Sequence, residues 1–340
     1  MTDNPKPFTT HNQQLKILRS RGLIVKPSAN RALEEHGYYS IINGYKKLFL
    51  EKDSNGRPID PERYITGSTF EEIKSLYDFD RELRQILYGP LMEYESNLGA
   101  ELSYKFSKRY TEPHSYLAMN NFSRNDADAF NVVKTINSLS YEIQKNTKGD
   151  NAIRHYINKY GYVPLWVLVN FMTFGELNYF YQNCSDKPDR EHHLIGLKTE
   201  IAKDFALKYK RNYKQNIQVH PLSIESINTL VNHFRNSVAH SEITYRKIVK
   251  KGVNFSSILS DLQIPRTLRQ TISQSNRNSS QCGVFELIVS LKLVLNKRQY
   301  TVLKKNIQNL ISKYQNEFHS VSFTAILNDM HFPRNYDEFL

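Results

Sequence analysis

Apolar residues recur at three- and four-residue intervals along most of this chain, the spacing of helices that bury one face. Glycine is sparse, at 13 residues, and no long stretch alternates apolar with polar, so the pattern predicts a mostly helical protein. Leu15 and Leu18 ahead of the Arg21-Gly22 stop predict a short first helix. Pro27-Ser28 opens a second that carries Ala32 and Leu33. Lys52 to Pro61, with Asn55-Gly56 and two prolines, is a loop. Ser68 and Thr69 then stand as caps ahead of Phe70, Glu71 and Glu72, and the periodic run from Phe70 to about Phe106 predicts the principal helix. Gly89-Pro90 within it is expected to kink or interrupt that helix, because proline lacks the backbone donor and crowds the preceding turn.

Beyond it, the polar stretch Glu112 to Asp150 brackets a helix near Ala127 to Gln144, and an apolar block runs from Tyr162 to Tyr181 around Trp166 and Phe174-Gly175. After a loop from Cys184 to Arg190, a helix is predicted at Thr199 to Tyr213. Another begins near Ser223, which would cap it just after Pro221, and it carries Ile224, Ile227, Val231 and Phe234. Gly252 to Ile264 and Ser273 to Gly283 frame short elements. Val284 to Leu295 and Tyr300 to Phe318 form two helices joined by Asn296-Lys297-Arg298. No internal repeat of constant period is present. The fold class is therefore all-α, divided into a helical N-terminal segment (1–61), a central helical domain with inserted loops (62–250) and a basic helical C-terminal extension (251–340).

Charge adds a direction to this outline. Lys and Arg number 46 against 34 Asp and Glu, a net +12, with an isoelectric point near 9.4, which favours a polyanionic partner. From Arg246 onward there are fourteen basic residues against six acidic ones, so the last part of the chain carries most of the excess. Arg246, Lys247, Lys250, Lys251, Lys297 and Arg298 are its candidate phosphate-gripping side chains. The 22 Tyr and 18 Phe supply aromatic faces, some able to stack on bases. Only two cysteines occur, Cys184 and Cys282, without the spacing of a zinc site or a disulfide framework, which fits the cytoplasm. No apolar run approaches a membrane span, and the polar start Met1 to Pro7 lacks a signal-peptide core.

The stretch richest in chemistry is Arg235-Asn236-Ser237-Val238-Ala239-His240, a permanent cation, an amide and an imidazole in six residues. Arginine can hold a phosphate through two parallel hydrogen bonds, and histidine exchanges protons near neutrality. RNA brings its own nucleophile, the 2′-hydroxyl, so such groups suffice to move protons and stabilise charge at phosphorus without metal. On an ideal helix, positions five apart differ by about 140°. If both side chains meet one phosphate, the motif must straddle a helix boundary, with Asn236 and Ser237 offering the break. Elsewhere, Asp80 and Arg84 have the spacing of a helix-surface ion pair, and Glu93 and Glu95, two apart, are a weak acid–base pair. His192-His193, His220, His233 and His319 fall in no ligand pattern. Walker, Gly-x-Gly-x-x-Gly, Gly-x-Ser-x-Gly and His-Glu-x-x-His signatures are absent, so no nucleotide cofactor and no metal are expected.

Several segments together resemble the Abi-like abortive-infection family of bacterial antiphage proteins, of the AbiD/AbiF type. They are Arg21-Gly22-Leu23-Ile24, Gly37-Tyr38-Tyr39, Gly44-Tyr45, Gly67 to Ile73 running into Leu76 to Arg84, Pro164-Leu165-Trp166, Thr173-Phe174-Gly175, Arg235 to His240, and Phe332 to Tyr336. Two departures mark the match. Gly99 stands where the family pattern carries an arginine, and Ser241-Glu242-Ile243 follows His240 in place of the His-x-Tyr of one toxin branch.

The resemblance implies a HEPN-type helical bundle, related to the nuclease domains of RNA-cutting CRISPR effectors. Those nucleases use an Arg-x4-6-His motif supplied by two domains that meet at one cleft. With one motif per chain it implies a homodimer, and some relatives are tied to a small structured RNA. The expectation is an endoribonuclease without cofactor, with Arg235 on the scissile phosphate, Asn236 orienting or donating, and His240 as general acid or base. The competing expectation is an RNA-binding regulatory or scaffold protein that grips RNA without cutting it.

Overall fold

The computed structural model describes residues 7–188, 195–274 and 281–340. The predicted loop Cys184–Arg190 and the framing stretch Ser273–Gly283 fall partly outside these residues, and His192-His193 wholly so. The fold is all-α. In chain order the helices are α1 (His11–Ser20), α2 (Ala29–His36), α3 (Phe70–Arg109), α4 (Ala129–Lys145), α5 (Ala152–Tyr160), α6 (Leu165–Leu168), α7 (Phe174–Asn183), α8 (Leu197–Tyr213), α9 (Pro221–Ala239), α10 (Phe255–Asp261), α11 (Arg266–Gln274), α12 (Val284–Val294), α13 (Lys297–Tyr314) and α14 (Phe323–Asp329). Extended pairing among the described residues is limited to isolated bridges, such as Val249 with Cys282.

The 40-residue α3 is the spine. At 1.5 Å per residue it is about 60 Å long, and Ile73, Leu76, Phe79, Leu83, Leu87, Leu91, Tyr94, Leu98, Leu102 and Phe106 bury one stripe of it at helical spacing. Thr69 opens it with a reciprocal cap: its hydroxyl accepts from the Glu72 amide at 3.1 Å while Glu72 Oε2 accepts from the Thr69 amide at 3.0 Å. The expected interruption at Gly89-Pro90 does not occur, and the helix runs through Pro90. Leu87 and Leu91, fully buried on either side, hold the helix together where one backbone bond is lost.

Two sets of contacts fix what lies on α3. Helix α9 packs against α3, α7, α8, α10 and α12, and the buried Tyr94 hydroxyl donates to Asn228 Oδ1 at 2.6 Å. The basic C-terminal part returns along α3 through α13. Lys313 Nζ and the Tyr314 hydroxyl both reach Glu82 Oε1, at 2.7 and 2.8 Å. Glu72, having capped α3, also accepts the His319 and Ser320 amides, both at 2.7 Å. These hydrogen bonds, larger in sum than the burial that opposes them, hold its carboxyl below the ordinary glutamate value.

No described helix is long and apolar enough to cross a membrane. Both cysteines are free and buried, and burial pushes each thiol up to about 12, so neither is a nucleophile at neutral pH.

Candidate active site

Helix α9 is capped three residues earlier than expected. His220 is its cap and Pro221 its first residue, where a missing amide hydrogen costs nothing. Ser223 instead lies fully buried, its hydroxyl 2.7 Å from that of Ser257. The expected break at Asn236-Ser237 is also absent. The helix continues to Ala239, because Ser237 is buried and its hydroxyl meets that of Thr244 at 3.2 Å.

The boundary falls at His240 itself. Its backbone (φ −95°, ψ 10°) closes the helix, and Ser241 follows in the left-handed region at φ 54°. The Glu242 amide donates to the Ser237 carbonyl at 2.9 Å and the Ser241 amide to Val238 at 3.3 Å. This is a Schellman closure with serine in the position glycine usually takes. Arg235 thus lies in the penultimate turn of α9 and His240 at its closing residue, so the motif ends at a helix boundary.

The segment after His240 is locked by a buried carboxylate. Asp80 on α3 is wholly buried and accepts the Tyr45 hydroxyl at 2.5 Å, Arg84 Nη1 at 2.5 Å, and the Thr244 and Tyr245 amides at 3.1 and 2.6 Å. Arg84 Nη1 also donates to the Glu242 carbonyl at 3.2 Å. The expectation of a helix-surface ion pair is therefore corrected: the spacing is right, but the pair is interior, and it clamps the chain immediately past the motif. Burial raises the Asp80 carboxyl, against the pull of Arg84, Tyr45 and the two amides. Burial pulls the Arg84 guanidinium down, and Asp80 and Tyr45 more than offset it.

Glu95, noted in the sequence only beside Glu93, is the partner of Arg235, whose Nε donates to Glu95 Oε2 at 3.2 Å. Among the described residues the two Nη groups of Arg235 take no hydrogen bond. Asp80 meets Thr244 and Glu95 meets Arg235, so α9 runs antiparallel to α3. His240 lines a cleft of about 730 Å³ with Tyr39, Arg81, Arg84, Gln85 and Tyr88. A second hollow of about 650 Å³ continues along the same helix face, with Met92, Glu95, Ser96, Gly99 and Trp166 on its walls. Residues 81, 84, 85, 88, 92, 95, 96 and 99 fall on one face of α3, one continuous stripe. His240 lines the first hollow, and Arg235 reaches this stripe through Glu95, which walls the second. Arg235 itself is not among the residues lining either hollow. Asn236 is exposed on the last turn.

The basic residues singled out from the sequence do not form one patch. Arg246 Nη2 donates to the Gly44 carbonyl at 2.9 Å, and its guanidinium lies 5.9 Å from the Tyr245 ring. Lys247 pairs with Glu242 at 2.9 Å. Lys250 and Lys251 are exposed beside Val249, which pairs with Cys282 just before α12. Lys297 and Arg298 are exposed at the start of α13, beyond the far end of α12. The length of α12 separates the two pairs by roughly 16 Å. No group of three or more His, Cys, Asp or Glu among the described residues is arranged to hold a metal ion.

The family model for Abi-like proteins matches residues 31–246, from α2 through α9 and the clamped segment behind it. No curated protein and no solved structure matches.

Proposed function

The chain belongs to the Abi-like protein family, and from that premise we propose that it is a metal-independent endoribonuclease of antiphage defence. Family membership points to abortive infection; the reaction is argued from the side chains. The Nη groups of Arg235 bind a nonbridging oxygen pair of the scissile phosphate, with Glu95 steadying the guanidinium from its Nε edge. The 2′-oxygen attacks phosphorus, its proton passes to one base, and the 5′-oxygen leaves with a proton from one acid. The products are a 2′,3′-cyclic phosphate and a 5′-hydroxyl.

One imidazole cannot accept and donate in the same step. The reading therefore calls for a homodimer, in which His240 of one copy is the base and that of the other the acid. Asn236, exposed on the last turn, donates to a phosphate oxygen or orients the imidazole. The observation that carries the proposal is the closure of α9 at His240, held by Asp80 and Arg84. It leaves an exposed imidazole in a cleft walled by α3.

A second reading, an RNA-binding regulatory protein without catalysis, is favoured by one observation: Arg235 is already ion-paired with Glu95 and stands outside the cleft that His240 lines. Mapping of 5′-hydroxyl ends in total RNA from induced cells separates the two. Parent protein should create new ends, and Arg235→Ala and His240→Ala should not. Magnesium-dependent cleavage leaving 5′-phosphates would refute the mechanism, and equal toxicity of folded His240→Ala would favour the second reading.

A further inference from the structure

The walls of the His240 cleft carry two tyrosines that packing does not require. Tyr39 is 78% exposed and Tyr88 53% exposed, although most large aromatic side chains of this fold are interior. Tyr39 is the first residue of a π-helical turn, Tyr39–Asn43, that follows Gly37 at φ 77°. Tyr88 comes from α3, four residues after Arg84.

The charges around them leave a cation in surplus. Arg84 is neutralised by Asp80 and Glu242 by Lys247, but Asp78 is shared between Lys74 at 2.6 Å and Arg81 at 3.4 Å. Arg81 keeps 45% of its side chain exposed at the cleft. Exposed aromatic faces, one surplus guanidinium and an amide, Gln85, in a hollow of about 730 Å³ match a nucleotide: rings for the base, a cation for its phosphate.

We propose that this cleft binds an unpaired nucleotide of single-stranded RNA, its base stacked on Tyr39 and Tyr88 and its phosphate on Arg81, beside the linkage that His240 addresses. The inference rests on the nuclease reading only for what His240 does; the binding stands apart from it. A base in a duplex has both faces covered by its neighbours, so the cleft selects unpaired RNA.

The test is fluorescence anisotropy with a labelled single-stranded 2′-O-methyl RNA, which cannot be cut at its 2′-oxygen, alongside a blunt duplex of equal length. Parent protein should bind the single strand more tightly. Tyr39→Ala and Tyr88→Ala should each weaken that binding by about 5- to 100-fold, the range for loss of one stacked base. Tyr39→Phe and Tyr88→Phe should stay within about twofold, because stacking needs only the ring. Both positions are exposed, and thermal melting of each variant against the parent checks the fold. Alanine variants that melt normally and bind as the parent does, or a parent that prefers duplex, overturn the proposal. Binding that depends on the tyrosines in a protein that never cuts 2′-hydroxyl RNA would sink the nuclease reading and leave this one standing. Cleavage that persists with tyrosine-independent binding would do the reverse.

Discussion

Replacing Asp80 by alanine removes the acceptor for four donors at once: the Tyr45 hydroxyl, Arg84, and the Thr244 and Tyr245 amides. The carboxylate is fully buried, and 9% of the Arg84 side chain is exposed, so water cannot readily replace what is lost. Breaking a buried pair by deleting one partner costs about 3–5 kcal/mol, and two orphaned amides act in the same direction. Urea unfolding of Asp80→Ala should therefore show a loss of about 3–5 kcal/mol, with Arg84→Ala also destabilised. The double variant should lose less than the sum of the two, since the second substitution removes a group already stranded. The segment that Asp80 holds follows His240 directly. In conditions where Asp80→Ala is still folded, cleavage should fall more than RNA affinity, because the imidazole is displaced while the groove remains. A loss below about 1 kcal/mol, or strict additivity with Arg84→Ala, would refute the clamp.

Three further outcomes follow from other contacts. The Glu72 carboxyl lies below its ordinary value when folded, so its contribution is present above the unfolded value of about 4.3 and is lost as pH falls through the lower folded value. Hydrogen exchange at the His319 and Ser320 amides should accelerate first in that acid window, and unchanged protection there would contradict the assignment. Glu95→Gln should reduce cleavage by about tenfold, worth about 1.4 kcal/mol, with RNA affinity within about twofold. A rise in cleavage would instead mean that Glu95 restrains Arg235. RNA affinity should fall with salt, and Lys250→Ala and Lys251→Ala should each lower the slope of log K against log salt by about one; an unchanged slope places those lysines off the RNA path.

Local rules accounted for much of what is seen. The start of α3 at Thr69 follows from its capping oxygen, whereas α9 starts at Pro221 rather than near Ser223, and α13 runs Lys297–Tyr314 from an Asn296 cap rather than Tyr300 to Phe318. The apolar stripe of α3 was legible because burial repeats every three or four residues. The motif was legible as a set of residue types, and its need for a helix boundary followed from the angle between positions five apart. At Gly89-Pro90 the helix is not interrupted: proline weakens a helix locally, and packing of the buried residues beside it keeps the run continuous.

Composition and periodicity by themselves determined the all-α class, the long central helix, two cysteines without the spacing of a zinc site or disulfide framework, and the single concentrated set of cation, amide and imidazole. Tertiary structure alone decided that Arg235 answers to Glu95, 140 positions earlier, that Asp80 and Arg84 are interior, and that Tyr39 and Tyr88 share a cleft with His240. Helical periodicity is a property of near neighbours and is written into consecutive residues. Which face of one helix meets which face of another depends on how the whole set of buried surfaces fits together, and no short stretch of sequence contains that fit.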